Sequence, residues 1–242
     1  MRKLKTSLVA LSISLAALHA NAASLQVAPV LLDVVNTGDA ATSITLRNVG
    51  TRPINAQVRV FKWKQVNGED VFEETQDIAV APAILNLRTN TDFTVRVVRR
   101  AGTPVRGEES YRLIADELPD TSQLAPGTIN MVIRHSVPLF FRAPEASAPD
   151  LSWSVRKNKD HLETLVANQG DRHVRLAGLK LADKAGASYS YGPGLTGYVL
   201  GNSEISFTSR TKVRGFARGS ADVSAQGDMG PVHASAPLVQ TR

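Results

Sequence analysis

The stretch that decides the fold is Thr128-Ile-Asn-Met-Val-Ile-Arg-His-Ser-Val-Pro-Leu-Phe-Phe-Arg142. Ile129, Met131 and Ile133 recur at every second position, which is the period of an extended strand with three large apolar side chains on one face. A turn-forming Pro126-Gly127 pair precedes the stretch and supports the assignment as a strand. Such a strand either covers the core of its own domain or lends its apolar row to another protein by strand addition.

Short alternating runs of the same kind recur along most of the chain. Clear examples are residues 43–47, 57–61 and 93–97, and turn signals such as Asn67-Gly68 separate them. No segment shows a sustained helical period. The sequence therefore predicts an all-β protein built from sandwiches.

A proline-containing break divides the predicted strands into two groups. Residues 142–150 contain two prolines separated by small side chains, which is typical of an interdomain linker. We therefore predict an N-terminal domain at 23–143, a linker at 144–149 and a C-terminal domain at 150–242. The tail after Ser220 is rich in Ala, Gly and Ser, which predicts either a weak last strand or a disordered end.

Residues 1–22 have the composition of a secretory signal peptide. Arg2, Lys3 and Lys5 form a positive start, a short apolar run follows, and Ala20-Asn21-Ala22 is an A-x-A cleavage pattern. We predict an exported mature chain that does not insert into a membrane. The chain contains no cysteine, so its cores have to be stable without disulfides.

Charge and motif content argue against nucleic-acid binding and against catalysis. Without Arg2, Lys3 and Lys5, the formal net charge of +6 falls to +3, a weaker excess than nucleic-acid-binding domains usually have. The match to G-x-G-x-x-G at 192–197 precedes a strand-like run and contains a proline, so we interpret it as a turn. The histidines lack the spacing of metal ligands. We predict no enzyme activity, no cofactor and no metal.

Several local motifs, in order along nearly the whole mature chain, resemble the periplasmic chaperones of the chaperone–usher pathway, the PapD-like proteins. The forms R-V-F-K-W at 59–63 and Y-R-L-I-A-D-E-L-P at 111–119 are most similar to the archaic, or alternative, branch of this family. The other matching segments are 24–33, 46–50, 94–97, 137–142, 166–170 and 197–200. The resemblance implies two immunoglobulin-like sandwiches and a periplasmic location.

The resemblance also implies a function. The building blocks of such pili lack the last strand of their sandwich, and the chaperone fills the gap with one of its own strands before delivering the pilin to an outer-membrane usher. Ile129, Met131 and Ile133 occupy the positions of the donor residues. The expected partners are pilus subunits (pilins) and the usher. An exposed row of this kind also leads us to expect self-association when the chain is free.

One feature departs from the family pattern. Many members bind the C-terminal carboxylate of the pilin with two basic residues, but Pro29 and Pro138 stand at the matching positions here. A carboxylate requires charge-assisted donors, and arginine supplies a bidentate fork. Arg96 and Arg112 are the candidate anchors because each interrupts an apolar strand, and simple outward-facing residues are the alternative. Arg134 is the next candidate.

Two other classes of function compete with this interpretation. A secreted immunoglobulin-like structural protein or adhesin has the same strand pattern, but we expect such a subunit to lack a strand or to carry a donor extension near its N-terminus. The sequence shows no such extension after Ala23, and the second predicted domain favours a chaperone. An exported enzyme that acts on carbohydrates needs a pair of carboxylates in a cleft. No such pair stands out in the sequence.

Overall fold

The computed structural model describes residues 24–38, 40–119, 131–213, 215–217 and 219–241. These residues form eighteen β-strands and no helix, so the predicted all-β class is confirmed. Accordingly, this part of the chain contains no helix that is long and apolar enough to span a membrane. The predicted signal peptide and Ile129 lie outside the described residues.

The first half of the chain forms two sheets around one core. Its strands are β1 (Leu25–Ala28), β2 (Leu32–Val35), β3 (Ala41–Asn48), β4 (Ile54–Val66), β5 (Glu69–Glu74), β6 (Ile78–Ala81), β7 (Ile84–Leu87), β8 (Asp92–Arg99), β9 (Glu108–Leu118) and β10 (Arg134–Arg142). A four-stranded sheet has the order β1-β3-β8-β6. A six-stranded sheet has the order β2-β10-β9-β4-β5, with β7 paired to β4.

Alternation within the strands explains why these two sheets face each other. Ile44 and Leu46 of β3 and Val95 and Val97 of β8 are fully buried, while the residues between them point away from the core. In the opposite sheet, Leu113 and its alternate neighbours on β9 fill the same core. Each such side chain contributes about 1.5–3 kcal/mol through burial.

The second half folds around a separate core. Its strands are β11 (Leu151–Asn158), β12 (His161–Asn168), β13 (Val174–Asp183), β14 (Ser188–Ser190), β15 (Leu195–Val199), β16 (Ser203–Thr208), β17 (Gly219–Gly227) and β18 (Gly230–Thr241). The strand order is β14-β13-β17-β18-β11-β12-β16, with β15 paired to β13. Contacts of β15 with β12 and β16 bring the two ends of this sheet together, so it encloses its own apolar core.

The C-terminal tail is ordered through two long strands. β17 and β18 pair antiparallel from Gly219 opposite Leu238 to Gly227 opposite Gly230. Small apolar residues at alternate positions, among them Ala221 and Ala236, are fully buried. The tail therefore forms strands, which is the first of the two expectations stated for it.

The connection between the two halves contains no strand, because β10 ends at Arg142 and β11 begins at Leu151. It is nevertheless fixed by hydrogen bonds. Ala143 N donates to the carbonyl of Gly107 (2.8 Å), and Ser147 N and Oγ both donate to Asp171 Oδ2 (3.0 and 2.8 Å). The exact domain limits, with a linker at 144–149, stay a prediction.

A buried asparagine closes the loop that follows β3. Asn48 is fully buried, and its Nδ2 donates to the carbonyls of Arg52 (2.7 Å) and Leu87 (3.1 Å). Its Oδ1 accepts a hydrogen bond from Gly50 N (2.8 Å). One side chain therefore satisfies three backbone groups and joins the loop to the end of β7.

The second half repeats this arrangement after β12. Asn168 is 2% exposed, and its Nδ2 donates to the carbonyls of Arg172 (2.8 Å) and Leu200 (3.1 Å). Its Oδ1 accepts from the amides of Gly170 and Asp150, both at 3.0 Å. The spacing N-x-G-x-R is the same in both loops. The two sandwiches therefore use one device to fix equivalent corners.

We predict that Asn48→Ala and Asn168→Ala each lower the free energy of unfolding by about 3 kcal/mol, because buried backbone groups lose their side-chain partner. Urea unfolding followed by tryptophan fluorescence measures this in each half, since Trp63 lies in the first and Trp153 in the second. Asn86→Ala is the matched control, because Asn86 is exposed and, within the described residues, its side chain donates to the side chain of Asn55 and to no backbone group. Equal effects at all three positions would contradict the prediction.

Candidate functional site

Strand β10 has an edge that is open over half its length. On one side it pairs antiparallel with β9 along its whole length, from Arg134 opposite Asp116 to Arg142 opposite Glu108. On the other side it pairs parallel with β2, but only from Leu139 to Arg142. Among the described residues, no strand pairs with positions 134–138 on that side. An unpaired sheet edge is a template for another strand.

The apolar row of β10 continues past the end of the core. Val137, Leu139 and Phe141 face the first core and are buried. Two residues at the same parity precede the strand: Ile133 is partly buried and packs against this core, whereas Met131 is 81% exposed. The carbonyl of Ile133 accepts a hydrogen bond from Glu117 N (2.8 Å), so the pairing with the chain of β9 extends beyond the assigned strand.

Arg112 lies on the outward face of the six-stranded sheet, among aromatic rings. Its guanidinium carbon is 3.8 Å from the centroid of the Trp63 ring, 5.6 Å from that of Tyr198 and 5.8 Å from that of Phe72. Burial lowers the pKa of Arg112, and the charge of Asp70 partly opposes this effect. Its Nε is buried without a hydrogen-bond partner among the described residues. A buried donor in this state is costly unless a ligand satisfies it.

Pro138 is directly opposite Arg112 in the β9–β10 pair. Directly opposite residues have Cβ atoms about 4.5–5.5 Å apart and project on the same side of the sheet. Pro138 is buried, and Pro29 lies between β1 and β2. Neither proline carries a charge, but Arg112 lies directly opposite Pro138, one of the two positions for which the resemblance implies a basic residue.

Arg96 lies elsewhere. It is an exposed residue of β8, opposite Ser43 of β3 and Ala81 of β6. Its neighbours Val95 and Val97 face the core, so its side chain points outward from the four-stranded sheet. Arg96 and Arg112 are therefore on the outer faces of opposite sheets, and the structure does not bring them together.

Two further arginines lie beside Arg112 on the same face. Arg59 Nη2 and Arg134 Nε donate to different oxygens of Asp116, at 2.6 and 2.5 Å. Burial alone would raise the pKa of Asp116, but the hydrogen bonds from Arg134 and Arg59 outweigh it and lower the pKa. One carboxylate thus serves two cations, and this patch of the sheet retains a positive excess.

The second half of the chain covers the other end of this face. Trp63 and Phe140 form a small cluster with Tyr198 and Leu200, which belong to the second half. The Trp63 and Tyr198 rings meet edge to face at 5.4 Å between centroids. His173 stacks on Phe140 at 3.6 Å. Aromatic contacts of this kind fix the second half against the outward face of β4 and β10.

A glutamine joins the two halves through its whole amide group. Gln65 Oε1 accepts from Leu200 N (2.9 Å) and Ser203 Oγ (3.0 Å). Its Nε2 donates to the carbonyl of Tyr198 (2.8 Å) and to Asp70 Oδ1 (2.9 Å). All four hydrogen-bonding positions of the amide are therefore used.

Sequence reasoning missed this interdomain contact, although one signal was present. In a strand, the consecutive residues Phe140 and Phe141 must point to opposite faces. A large aromatic on each face indicates that both faces are covered at that point. Gln65 gave no such signal, because a glutamine in an alternating strand is usually solvated.

A buried ion pair connects the two sheets of the first half. Arg99 on β8 has a side chain only 4% exposed, and it donates from Nε and Nη2 to the two oxygens of Glu109 on β9, each at 2.7 Å. The bonds to Glu109 raise the pKa of Arg99. Burial would raise the pKa of Glu109, but the bonds from Arg99 lower it overall. Unlike Arg112, Arg99 therefore has its anion within the fold.

No group of three or more metal-ligating side chains occurs in the part of the chain that the structure describes. Of the proposed donor residues, Met131 and Ile133 directly precede β10, and Arg112 lies on β9, the neighbour of β10 in the sheet. This part of the molecule offers an open strand edge, an exposed Met131 next to a partly buried Ile133, and a buried Arg112 Nε without a hydrogen-bond partner among the described residues.

Comparison with known proteins gives one family. The family model described as "Pili and flagellar-assembly chaperone, PapD N-terminal domain" matches residues 24–147. No curated protein matches the chain.

Solved structures share the fold over most of the chain. A structure of the CsuC–CsuE chaperone–tip adhesion subunit pre-assembly complex, from archaic chaperone–usher Csu pili of Acinetobacter baumannii, matches with a TM-score of 0.66 and 23% identity. The match covers 91% of this chain and 100% of that chain. The structure of the Salmonella enterica SafA pilin with the SafB chaperone matches with a TM-score of 0.59 and 18% identity, covering 88% and 96%.

The E. coli chaperone DraB matches with a TM-score of 0.56 and 15% identity, over 87% of this chain and 98% of that chain. At these identities the matches show the fold. Together with the two separate cores, they confirm the prediction of two immunoglobulin-like sandwiches.

The two buried arginines give opposite predictions for stability. We expect Arg112→Met to leave the free energy of unfolding unchanged or to raise it, because it removes a desolvated charge and keeps an apolar contact with Trp63. We expect Arg99→Met to lower it by about 3–5 kcal/mol, because Glu109 would be left buried without its cation. Urea unfolding followed by circular dichroism measures both. A loss at Arg112 as large as that at Arg99 would show that Arg112 is already paired in the free protein.

Proposed function

Since the chain belongs to the family of pili and flagellar-assembly chaperones with a PapD N-terminal domain, we propose that it binds pilus subunits in the periplasm by donating β10. The donated strand completes the sandwich of a pilin that lacks its own last strand and covers its apolar groove. The chaperone then delivers the capped pilin to an outer-membrane usher. The proposed activity is binding and makes or breaks no covalent bond.

One observation carries the proposal. Met131, just before β10, is 81% exposed, whereas Ile133 is partly buried and Val137 is buried. Within the described residues, no strand pairs with positions 134–138 on the free side of β10. Soluble proteins rarely leave an apolar row and an open edge together, because both invite association. A partner that supplies a strand satisfies the edge with its backbone and buries the row with its core.

The structural relatives support a pilin as that partner. The Acinetobacter baumannii match is a complex of a chaperone with a tip adhesion subunit, and the Salmonella enterica match is a pilin in complex with a chaperone. In the absence of a pilin, we expect the same edge and row to pair weakly with a second copy of the chain. Such self-association should disappear when a pilin is bound, since both use one surface.

We further propose that Arg112 binds the C-terminal carboxylate of the pilin. Its Nε has no partner among the described residues, and the surrounding rings of Trp63, Phe72 and Tyr198 exclude water. A low local dielectric strengthens a guanidinium–carboxylate pair. Arg134 lies on the same face and is the second candidate, whereas the position of Arg96 on the opposite sheet does not favour it.

Met131→Asp and Ile133→Asp should each weaken the complex with the cognate pilin at least tenfold. A buried apolar side chain contributes about 1.5–3 kcal/mol, and its replacement would place a carboxylate in an apolar groove. The measurement is the yield of a one-to-one complex purified from the periplasm. Val132→Asp is the matched control, because Val132 is 49% exposed and lies between Met131 and Ile133, at the alternate position of the same segment. Normal yields from both test variants would exclude strand donation.

Arg112→Ala should abolish a stable complex while leaving the chain folded, because the carboxylate of the pilin would lose its bidentate partner. Arg112→Lys should weaken binding less, since it keeps the charge and loses only the fork. Arg96→Ala is the control and should bind normally. Pull-down of the pilin, with circular dichroism to confirm folding, measures all three. Full binding by Arg112→Ala would move the anchor to Arg134 or remove it from the mechanism.

A further inference from the structure

A cleft of about 340 Å³ opens on the outward face of the six-stranded sheet, beside Arg112. Phe61, Phe72 and Ile114 supply its apolar walls, and Ser136 of β10 lines it on the side of the open edge. Phe72 is 48% exposed even though it packs on Trp63, with ring centroids 6.2 Å apart. Two aromatic rings and an isoleucine around one opening form a concave surface suited to an apolar side chain.

The charges around the cleft are not balanced. Arg59 and Arg134 also line it, but both already bind Asp116. The lining cation without an ion-pair partner among the described residues is Arg112, whose Nε is buried and makes no hydrogen bond to them. The cleft therefore offers an apolar wall and one unsatisfied positive group side by side.

The two features are close enough for one residue to use both. The guanidinium carbon of Arg112 is 5.8 Å from the centroid of the Phe72 ring. A C-terminal amino acid carries its carboxylate and its side chain on the same Cα, so it can place one on Arg112 and the other against Phe72. An internal residue of a chain has no carboxylate there. An internal Asp or Glu could bring its side-chain carboxylate to Arg112, but it would then have no apolar group to place against the walls.

We infer that this cleft is a side-chain pocket that selects polypeptide C-termini ending in a large apolar residue. The inference rests on the proposed role of Arg112 as carboxylate anchor and adds a preference for the identity of the last residue. The carboxylate of that residue binds Arg112, and its side chain packs between Phe61, Phe72 and Ile114. A chain that pairs with the open edge of β10 reaches this point by crossing the outward face of β10 at Ser136.

Trp63 is a built-in reporter, because its ring lies 3.8 Å from the guanidinium of Arg112. Trp153 is the only other tryptophan and belongs to the second core. Trp153→Phe therefore leaves one fluorophore at the cleft. If this variant does not fold, the indole N–H resonances of the unaltered protein report on the two sites separately.

The probes are N-acetyl-phenylalanine, N-acetyl-leucine, N-acetyl-alanine, N-acetyl-aspartate and N-acetyl-phenylalanine amide, each titrated against the full chain. We expect saturable changes at Trp63 with the phenylalanine and leucine acids. The alanine and aspartate acids should bind at least tenfold more weakly, and the amide should give no saturable change, since it lacks the charge that Arg112 requires. Equal binding of the phenylalanine and alanine acids, or of the acid and the amide, would overturn the inference.

Variants test the apolar wall and the cation of the pocket separately. Phe72→Ala should remove the preference for large side chains and keep the preference for acid over amide. Arg112→Met should remove the preference for acid, and Arg96→Met, on the opposite sheet, should change neither. If Phe72→Ala keeps the full side-chain preference, the apolar wall is not the selecting surface.

The remaining outcomes test two other occupants of the cleft, and a separate experiment tests strand donation. A change in Trp63 emission on simple dilution of the free protein would assign the cleft to a second copy of the chain and overturn the inference. Octanoate binding as tightly as the phenylalanine acid would assign it to fatty acids, with the same result. Strand donation is tested separately by Met131→Asp and Ile133→Asp. Either proposal can therefore be contradicted while the other is supported.

Discussion

Strand β10 packs side chains on both of its faces and forms backbone pairs on both of its edges, and the rest of the structure depends on this constraint. Successive side chains of a strand point to opposite faces. Leu139 and Phe141 therefore belong to the first core, while Phe140 between them packs against Tyr198 and Leu200 of the second half of the chain. Along the edge, β2 pairs with only the last part of the strand. The strand is fixed at its C-terminal end and leaves its N-terminal end available, which is the property that donation requires.

The interface between the two halves and the proposed binding site share side chains, so they are not energetically independent. Trp63 packs on Tyr198 of the second half and stacks on Arg112. A desolvated arginine without an anion reduces the stability of the free protein, since a buried charge needs a partner. A carboxylate that reaches Arg112 recovers this free energy and adds a charge-assisted bond. The site thus resembles other functional sites, where local stability is lower so that binding can be stronger.

The sequence was sufficient for the fold class and for a strand over the later part of residues 128–142, where β10 spans Arg134–Arg142, because both depend on the period of apolar residues. Alternation at Ile133, Val137 and Leu139 is visible without coordinates. Pairing between distant strands is not visible, so the separation of Arg96 from Arg112 onto opposite sheets could not be predicted: two arginines in alternating strands look alike. The four bonds of Gln65 depend on where the second half lies, and a single residue carries no information on that.

The open edge and the proposed anchor together define how a bound strand must align. A partner strand that pairs with the open edge of β10 beside Pro138 and extends back past Met131 runs parallel to β10, as β2 already does farther along the same edge. Its last residue has to cross the outward face of β10 to reach Arg112 on β9. The seven residue steps from Met131 to Pro138 span about 23 Å, at about 3.3 Å per residue. A slip of one residue would turn every partner side chain to the wrong face. Fixing one end of the strand at a charged, aromatic-lined position excludes such slips. The chief contribution of Arg112 in this arrangement is therefore to the register of the partner strand, while the apolar row supplies most of the affinity.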